Sequence, residues 1–239
     1  MSELFLRNKM LIGDESCAKL ANSHVAVFGL GGVGSWCAEA LARAGIGGLT
    51  LIDQDEVGES NINRQLVALH STIGKPKAQV LAERLLDINP HLKVKALVAR
   101  YEAESREELF AEKYDFVVDC IDLVACKLDL IITAKEREIP VVSAMGTGNK
   151  CEAQKLTLSD ISKTRNCPLA RVVRKELRKR GIKHLDVVYS EELAMKPEDA
   201  EEPPPGRRSV PGSLVWVPAS AGMLLCQHVV MSITGNTGE

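Results

Sequence analysis

Four glycines near the start of the chain could cradle a phosphate group. They lie at or just past the end of the apolar run Val25 to Leu30, which is typical of a buried parallel strand, and precede the helical spacing of Ser35 to Ala44. Positions without side chains let backbone N–H groups approach a phosphate at a helix N-terminus. The four are Gly29, Gly31, Gly32 and Gly34. The pattern predicts a nucleotide site, and a strand-to-helix junction without a ligand is the alternative.

Acidic, amide and basic side chains follow the glycine loop closely. Asp53 ends the next apolar run nineteen positions past Gly34, where a carboxylate can accept hydrogen bonds from ribose hydroxyls. An enzyme that transfers a hydride needs no cluster of amide and basic side chains after this carboxylate. An enzyme that cleaves a triphosphate does need one, because the charged phosphate oxygens require fixed donors. Arg64 offers a planar fork and Lys77 a point charge, with solvated surface roles as the alternative. The cluster comprises Asp55, Asn61, Asn63, Arg64, Gln65, Lys75 and Lys77.

A D-x-x-D pair ends another apolar run. Asp119 and Asp122 close the predicted strand from Phe116 to Ile121. Ligands of open parallel sheets bind at this carboxyl edge, although one of the two acids could instead cap the following helix.

The elements that must position these residues alternate between strand and helix. This alternation predicts an α/β fold with a doubly wound, mainly parallel, Rossmann-like sheet. We expect residues 1–160 to form an ATP-binding domain with an N-terminal helical segment broken at Gly13. Residues 161–239 would form a small α+β extension that completes the sheet. The later predicted segments are strands 151–158, 185–189 and 214–217, a basic helix 169–180, a mobile acidic loop 191–211 and a packed final helix 219–233.

Composition bounds the class of protein. The chain has 239 residues, 45% of them hydrophobic and only 4% aromatic, which favours a helix-covered parallel sheet over an aromatic-rich sandwich. A formal charge of −2 neither indicates nor excludes a nucleic-acid partner. No export signal opens the sequence, and Ala219 to Ile233 is too short and polar to span a bilayer. We therefore expect a cytoplasmic protein without membrane contact.

A dense run of positive charge lies in the second half. Nine Lys or Arg residues fall between Lys163 and Lys183, against Glu176 alone. The helical spacing predicts a buried stripe and, opposite it, four basic residues that point outward and suit RNA phosphates. The alternative is a solvated helix face without a ligand. The buried stripe comprises Leu169, Val172, Val173 and Leu177. No interleaved aromatic residue supports base stacking there. The four basic residues are Arg171, Arg174, Lys175 and Arg178.

The motifs together resemble those of ubiquitin-activating-type (ThiF-like) adenylating enzymes, which include the thiamine and molybdopterin sulfur-carrier activators. The matching segments are G-L-G-G-V-G, D-Q-D-x-V, S-N-I-N-R-Q, K-P-K-A and D-C-I-D, between Leu4 and about Gly148. The resemblance implies that Asp53 and Lys77 hold the ribose and phosphates of ATP. It also implies that Asn61, Arg64 and Gln65 surround the triphosphate, that Asp122 binds Mg²⁺, and that Arg7 reaches the partner's site in a homodimer. Of the D-x-x-D pair, Asp122 is therefore favoured as the ligand and Asp119 as structural.

The spacing of the cysteines distinguishes between branches of this family. The seven cysteines include no C-x-x-C pair, so the zinc site usual in sulfur-carrier activators is not expected. The chain is more similar to the tRNA threonylcarbamoyladenosine dehydratases, in G-S-W-C-A-E-A-L-A-R-A-G-I-G, S-D-I-S-K-T and P-L-A-R-V-V-R-K-E-L-R. It departs from them in the acidic loop and in P-G-S-L-V-W-V-P.

That branch implies adenylation of a carboxylate in tRNA followed by ring closure. The alternatives are an activator of a ubiquitin-like sulfur carrier, with a sulfur-transfer or carrier protein as partner, and an NAD-dependent oxidoreductase. For Cys167, a packed thiol is favoured over a thioester-forming one.

Overall fold

A single seven-stranded sheet forms the centre of the computed structural model, which describes residues 3–196 and 211–235. In chain order its strands are β1 (His24–Phe28), β2 (Gly48–Ile52), β3 (Lys93–Leu97), β4 (Phe116–Asp119), β5 (Val141–Ala144), β6 (Leu156–Asp160) and β7 (Asp186–Ser190). Their order across the sheet is β3-β2-β1-β4-β5-β7-β6. Every neighbouring pair is parallel except β6 and β7. The predicted mainly parallel sheet is confirmed.

Helices cover both faces of this sheet. They are α1 (Leu6–Ala21), α2 (Gly34–Ala44), α3 (Lys77–Ile88), α4 (Arg106–Leu109), α5 (Val124–Glu136), α6 (Pro168–Lys179) and α7 (Trp216–Thr234). Alternate residues of β1 enter two cores, because successive side chains of a strand point to opposite faces. Val25 and Val27 pack in one core with α2, α3 and α7. Ala26 and Phe28 pack in the other with α5 and α6. The fold is therefore doubly wound.

The second half of the chain completes the sheet. β7 lies parallel to β5, and β6 pairs antiparallel with β7 at the sheet's edge. The predicted α+β extension is thus confirmed, while the division into residues 1–160 and 161–239 stays a prediction. The helical break at Gly13 is also present, with a backbone φ of 80° inside α1.

Two predicted strands differ from the structure. Residues 151–158 contain a short 3₁₀ turn, Ala153–Lys155, before β6. The strand predicted at 214–217 is wrong, because α7 begins at Trp216. A short apolar run fits a strand or a buried helix equally well, and Pro218 is compatible with a first helical turn. Most of the predicted acidic loop 191–211 lies outside the described residues.

The final helix packs in the domain core. Among the residues that the structure describes, α7 is the one helix long and apolar enough to cross a bilayer. Its residues Val217, Ala221, Leu225 and Val229 are fully buried. The last three belong to the core shared with α2 and α3, as expected for a packed helix.

Candidate active site

The glycine loop joins the end of β1 to the start of α2 at very close range. Gly29 has a φ of +88°, and a Cβ there would lie 2.8 Å from the Cys120 carbonyl oxygen. A Cβ on Gly34 would lie 1.8 Å from the Gly29 carbonyl oxygen, so only glycine fits. Gly31 faces open space by contrast, since its nearest neighbour would be Gln65 Nε2 at 3.9 Å. The backbone at Gly31 is therefore open to a phosphate, while Pro218 and Arg64 line the Cβ position of Gly32.

Asp53 follows β2 and is fixed beside this loop. Its Oδ2 accepts a hydrogen bond from the Leu30 amide at 2.6 Å and its Oδ1 one from the Asp55 amide at 2.8 Å. Burial raises the pKa of Asp53, while these amides and nearby Lys77 act in the opposite direction. Each carboxylate oxygen has a second lone pair, so both remain able to accept a ribose hydroxyl.

Lys77 opens α3 within the same cluster. Its side chain is 6% exposed, and its Nζ lies 2.9 Å from Asp55 Oδ2. Asp55 is about half exposed, so the ion pair stands at the surface of the site. The structure thus pairs Lys77 with Asp55 and brings its charge near enough to Asp53 to oppose the rise in the pKa of that carboxyl.

The N-x-N-R-Q segment forms a compact turn over the glycine loop. Asn61 Oδ1 accepts a hydrogen bond from the Gly58 amide at 3.1 Å, which fixes the turn itself. Arg64 Nη1 donates to the Ser60 carbonyl and to Asn63 Oδ1, both at 2.8 Å. Arg64 Cγ lies 3.5 Å from the Cβ position of Gly32. The aliphatic part of the Arg64 side chain therefore lies against the glycine loop.

Gln65 provides an observation that favours a ligand. The residue is 8% exposed, and its Oε1 is the one buried side-chain polar atom without a hydrogen-bond partner in the part of the chain that the structure describes. A buried acceptor left unpaired costs about 1–3 kcal/mol. A hydroxyl or amino group of a bound nucleotide would satisfy it, so the site fits ATP.

Asp119 and Asp122 have different surroundings. Asp119 is fully buried, and its Oδ2 accepts hydrogen bonds from Lys127 Nζ at 2.6 Å and Ser143 Oγ at 2.5 Å. Asp122 is exposed in the loop that follows. β4 neighbours β1, so this loop adjoins the glycines. Within residues 3–196 and 211–235 no group of three potential metal ligands occurs. A single carboxylate suits Mg²⁺, which keeps several waters and binds phosphate oxygens.

The basic helix α6 differs from expectation at one of its four candidate residues. Arg171, Lys175 and Arg178 are exposed, as predicted. Arg174 instead turns inward, where its Nη1 donates to the carbonyl oxygens of Thr164 and Ile161 at 2.9 and 3.3 Å. The predicted outward position of Arg174 is therefore wrong. The predicted buried stripe also shifts, since Val172 is exposed and Ala170 is buried.

Two further candidates lie apart from this cluster. Arg7 is exposed on α1, close to Asn8, whose side chain donates to the Arg43 carbonyl at the end of α2. That end is about 16 Å along α2 from the glycine loop. Cys167 is buried beside α6, with its Sγ 3.8 Å from the Cβ position of Gly146.

The segment before α7 and the first turn of that helix add contacts that the sequence patterns did not indicate. Asn63 Nδ2 donates to the Ser213 carbonyl at 3.0 Å. Pro218 Cβ lies 3.3 Å from the Cβ position of Gly32. No local pattern marks these contacts, because Asn63 and Ser213 are 150 positions apart.

Comparisons with known proteins agree with this geometry. The tRNA threonylcarbamoyladenosine dehydratase of Bacillus subtilis (strain 168) is 41% identical over 242 residues, covering 98% of this chain and 95% of that protein. The crystal structure of the E. coli tRNA N6-threonylcarbamoyladenosine dehydratase in complex with ATP matches with a TM-score of 0.88 at 33% identity. That match covers 98% of this chain and 95% of the other.

A more distant relative shares part of the chain. The molybdopterin-synthase adenylyltransferase of Escherichia coli (strain K12) is 36% identical over 152 residues, which cover 64% of this chain and 59% of that protein. The family model described as the ThiF family matches residues 5–239. With the glycine loop, the N-x-N-R-Q turn and the doubly wound sheet in place, the chain belongs to the ThiF family.

Proposed function

We propose that this protein is an ATP-dependent tRNA threonylcarbamoyladenosine dehydratase. It adenylates the carboxylate of N6-threonylcarbamoyladenosine in tRNA and promotes its cyclisation. The observation that carries the proposal is the extent of similarity. The match to the Bacillus subtilis dehydratase covers 98% of the chain, including basic helix α6, whereas the match to the adenylyltransferase covers 64%.

Different residues of the site would bind different parts of ATP. Asp53 accepts the ribose hydroxyls, and the backbone at Gly31 faces the phosphates. Gln65 Oε1 accepts a donor from the nucleotide, which removes its buried unpaired state. Bound ATP and AMP in the related E. coli structures support this assignment.

Charge on the phosphates is met by fixed cations. Arg64 offers a planar fork for two phosphate oxygens, and Lys77 a point charge already oriented by Asp55. Asp122 would hold Mg²⁺, which would neutralise charge on the leaving pyrophosphate. Asn61 and Asn63 keep the turn that presents Arg64 in place.

The reaction then has two balanced steps. A carboxylate oxygen of the substrate attacks the α-phosphorus of ATP, and the bond to pyrophosphate breaks, which leaves an acyl-adenylate. The ureido group of the same modification attacks the activated carbonyl carbon, the bond from that carbon to the former carboxylate oxygen breaks, AMP leaves carrying that oxygen, and the ureido group loses a proton. The net change is loss of water from the nucleoside, driven by ATP cleavage. The protein contributes alignment of the two reactants and neutralisation of charge.

The outward face of α6 would bind the tRNA backbone. Arg171, Lys175 and Arg178 are exposed on neighbouring turns and suit phosphate contacts, which dominate nucleic-acid affinity. Arg174 has the different task of fixing the helix to Thr164.

A homodimer would complete the site. Arg7 is remote from the glycine loop of its own chain, as a residue acting in a partner's site would be. On the same helix Met10 and Leu11 are 72% and 89% exposed, and exposed apolar patches of this kind mark protein interfaces. We place the protein in the cytoplasm, where tRNA is found.

The deciding experiment uses purified full-length protein, ATP with Mg²⁺, and tRNA that carries threonylcarbamoyladenosine. We expect nucleoside mass spectrometry of digested tRNA to show a product lighter by one water, formed only with ATP. Unchanged tRNA, together with undiminished cyclic nucleoside in cells lacking the gene, would contradict the proposal.

A second candidate is activation of a ubiquitin-like sulfur carrier, favoured by the partial match to the adenylyltransferase. It predicts ATP–pyrophosphate exchange that appears only when a carrier ending in Gly-Gly is added. An NAD-dependent activity is separated by calorimetry, where we expect binding of ATP with Mg²⁺ and none of NAD.

A further inference from the structure

An exposed tryptophan lies beside the glycine loop, and the adenylation chemistry does not use it. Trp216, the first residue of α7, is 50% exposed. Leu214 and Val215, directly before it, are also partly exposed, as is Met195. Met195 Sδ lies 3.4 Å from the sulfur of Cys151, whose carbonyl oxygen bonds Trp216. We call Met195, Leu214, Val215 and Trp216 the tryptophan patch.

The indole ring is held in one orientation. Its Nε1 donates to the Cys151 carbonyl oxygen at 2.8 Å. The segment before it is anchored by two hydrogen bonds between Asn149 and Gly212, at 2.8 and 2.7 Å. A ring fixed in this way loses little conformational freedom on binding. Because its N–H is already used, what it offers a ligand is its aromatic surface.

Contacts on one side connect the patch to the phosphate end of the nucleotide site. Ser213 accepts a hydrogen bond from Asn63, the neighbour of Arg64. Pro218, two residues after Trp216, lies against Gly32. The patch therefore borders the edge at which the α-phosphate must meet the substrate carboxylate.

Contacts on the other side connect it to the basic region. The amides of Cys151 and Glu152 donate to the Glu192 carboxylate at 2.9 Å. The preceding Glu191 pairs with Arg165, close to the start of α6. The patch is thus an apolar surface that packing links to both the ATP edge and the cationic helix.

We propose that the tryptophan patch is a stacking platform for an unpaired base of the RNA substrate. The inference rests on the proposed function, because a carboxylate on one nucleoside must reach the α-phosphate while the adjoining bases cross the surface beside it. Single-stranded loops are recognised by stacking on aromatic side chains, and every base offers a flat π-face. A ring without a free donor, next to phosphate-binding cations, suits this ligand better than an apolar peptide.

Two variants isolate the aromatic face. Trp216→Phe and Trp216→Leu both lose the bond to Cys151, but only the phenylalanine keeps a stacking surface. We expect Trp216→Leu to weaken binding of an anticodon stem-loop RNA by about 5- to 100-fold, as loss of one stacked base does, and Trp216→Phe to stay near wild type. The tRNA KM should rise in Trp216→Leu with little change in kcat, and calorimetric ATP affinity should not change.

A fluorescence measurement supplies an independent readout. The chain has two tryptophans, so Trp216→Phe reports Trp36 alone. We expect the RNA to quench wild-type emission more than that of Trp216→Phe. The control Leu158→Ala removes an exposed apolar side chain from β6 and should match wild type throughout.

The outcomes separate the two proposals. Equal RNA affinity for the leucine and phenylalanine variants, without quenching of Trp216, overturns the platform. A change in sedimentation of Trp216→Leu with unchanged RNA affinity also overturns it, and assigns the patch to contact between copies. If wild type binds and quenches with RNA but forms no cyclic nucleoside, the proposed dehydration fails while the platform stands.

Discussion

The two sides of the candidate site are built in different ways. The nucleotide edge comes from consecutive motifs at the ends of β1, β2 and β4, and short-range geometry fixes it, as at Gly34, where a Cβ would lie 1.8 Å from a carbonyl oxygen. The substrate side comes from distant segments, in which Asn63 meets Ser213 across 150 positions.

The difference suggests that one side of the site serves the chemical step and the other serves substrate selection. A parallel sheet brings the carboxyl ends of its strands to one edge, so the nucleotide residues are positioned by the fold itself. The segments around Trp216 and α6 reach that edge through side-chain contacts that can vary without changing the fold. We infer that the first side sets the adenylation step and the second selects the RNA.

The largest effect should come from the ion pair that supports the nucleotide edge. Lys127 and Asp119 are both fully buried, so Lys127→Met leaves an unpaired carboxylate in the core. Breaking such a pair costs about 3–5 kcal/mol, measurable as the free energy of unfolding in denaturant. The control Lys179→Met removes an exposed pair with Glu176 and should cost below about 1 kcal/mol. Similar losses for both variants would show that Asp119 is not a structural support.

Removing charge at the nucleotide edge should affect chemistry without affecting the fold. We expect Arg64→Ala to lower the rate of pyrophosphate release about 10²- to 10³-fold, since a fixed donor to developing charge is lost. Arg64→Lys should recover little of the rate of pyrophosphate release, because an ammonium group cannot bind two phosphate oxygens at once as the planar guanidinium does. Arg43→Ala, which removes an exposed arginine from α2, serves as the charge-matched control. Unchanged pyrophosphate release in Arg64→Ala would refute the phosphate role.

The sequence predicted which residues would lie together at the candidate nucleotide edge better than it predicted the arrangement on the other side, for a physical reason. Gly29, Asp53 and Arg64 belong to contiguous patterns whose spacing follows from strand and helix geometry. Arg174 was misplaced because helical periodicity gives a side chain's direction but not the carbonyls of Thr164 and Ile161 that draw it inward. The strand predicted at 214–217 failed because L-V-W-V suits two structures, and packing against α2 selects the helix.

A smaller effect should distinguish the true outward face of α6. Lys175→Ala or Arg178→Ala should weaken tRNA binding several-fold and reduce the slope of log affinity against log salt by about 1. Arg174→Ala should leave that slope unchanged and instead lower stability by about 1–3 kcal/mol, because the carbonyl oxygens of Thr164 and Ile161 lose a charged, partly buried donor. Filter binding across a salt series measures the slope. Equal slopes for wild type and Lys175→Ala would remove α6 from the RNA-binding surface.

The smallest effects should be on the pH dependence of stability, and they should have opposite signs for Asp53 and Asp186. Burial raises the pKa of Asp53 above its ordinary value of 3.8, so the folded state retains this proton to higher pH, and the contribution of Asp53 to stability falls as pH rises through that interval. The His228 hydrogen bond lowers the pKa of Asp186 below 3.8, so stability is lost as pH falls through the folded value.

Asn variants remove each titration. The free energy of unfolding of Asp53→Asn minus that of wild type should therefore increase as pH rises above 3.8. The same difference for Asp186→Asn should decrease as pH rises toward 3.8 from below. Denaturant unfolding across an acidic pH series measures both differences. Parallel pH profiles for the two variants would contradict the assignment. The opposite signs follow from the surroundings of the two carboxylates, because burial disfavours the charge of Asp53, whereas the hydrogen bond with His228 stabilises the charge of Asp186.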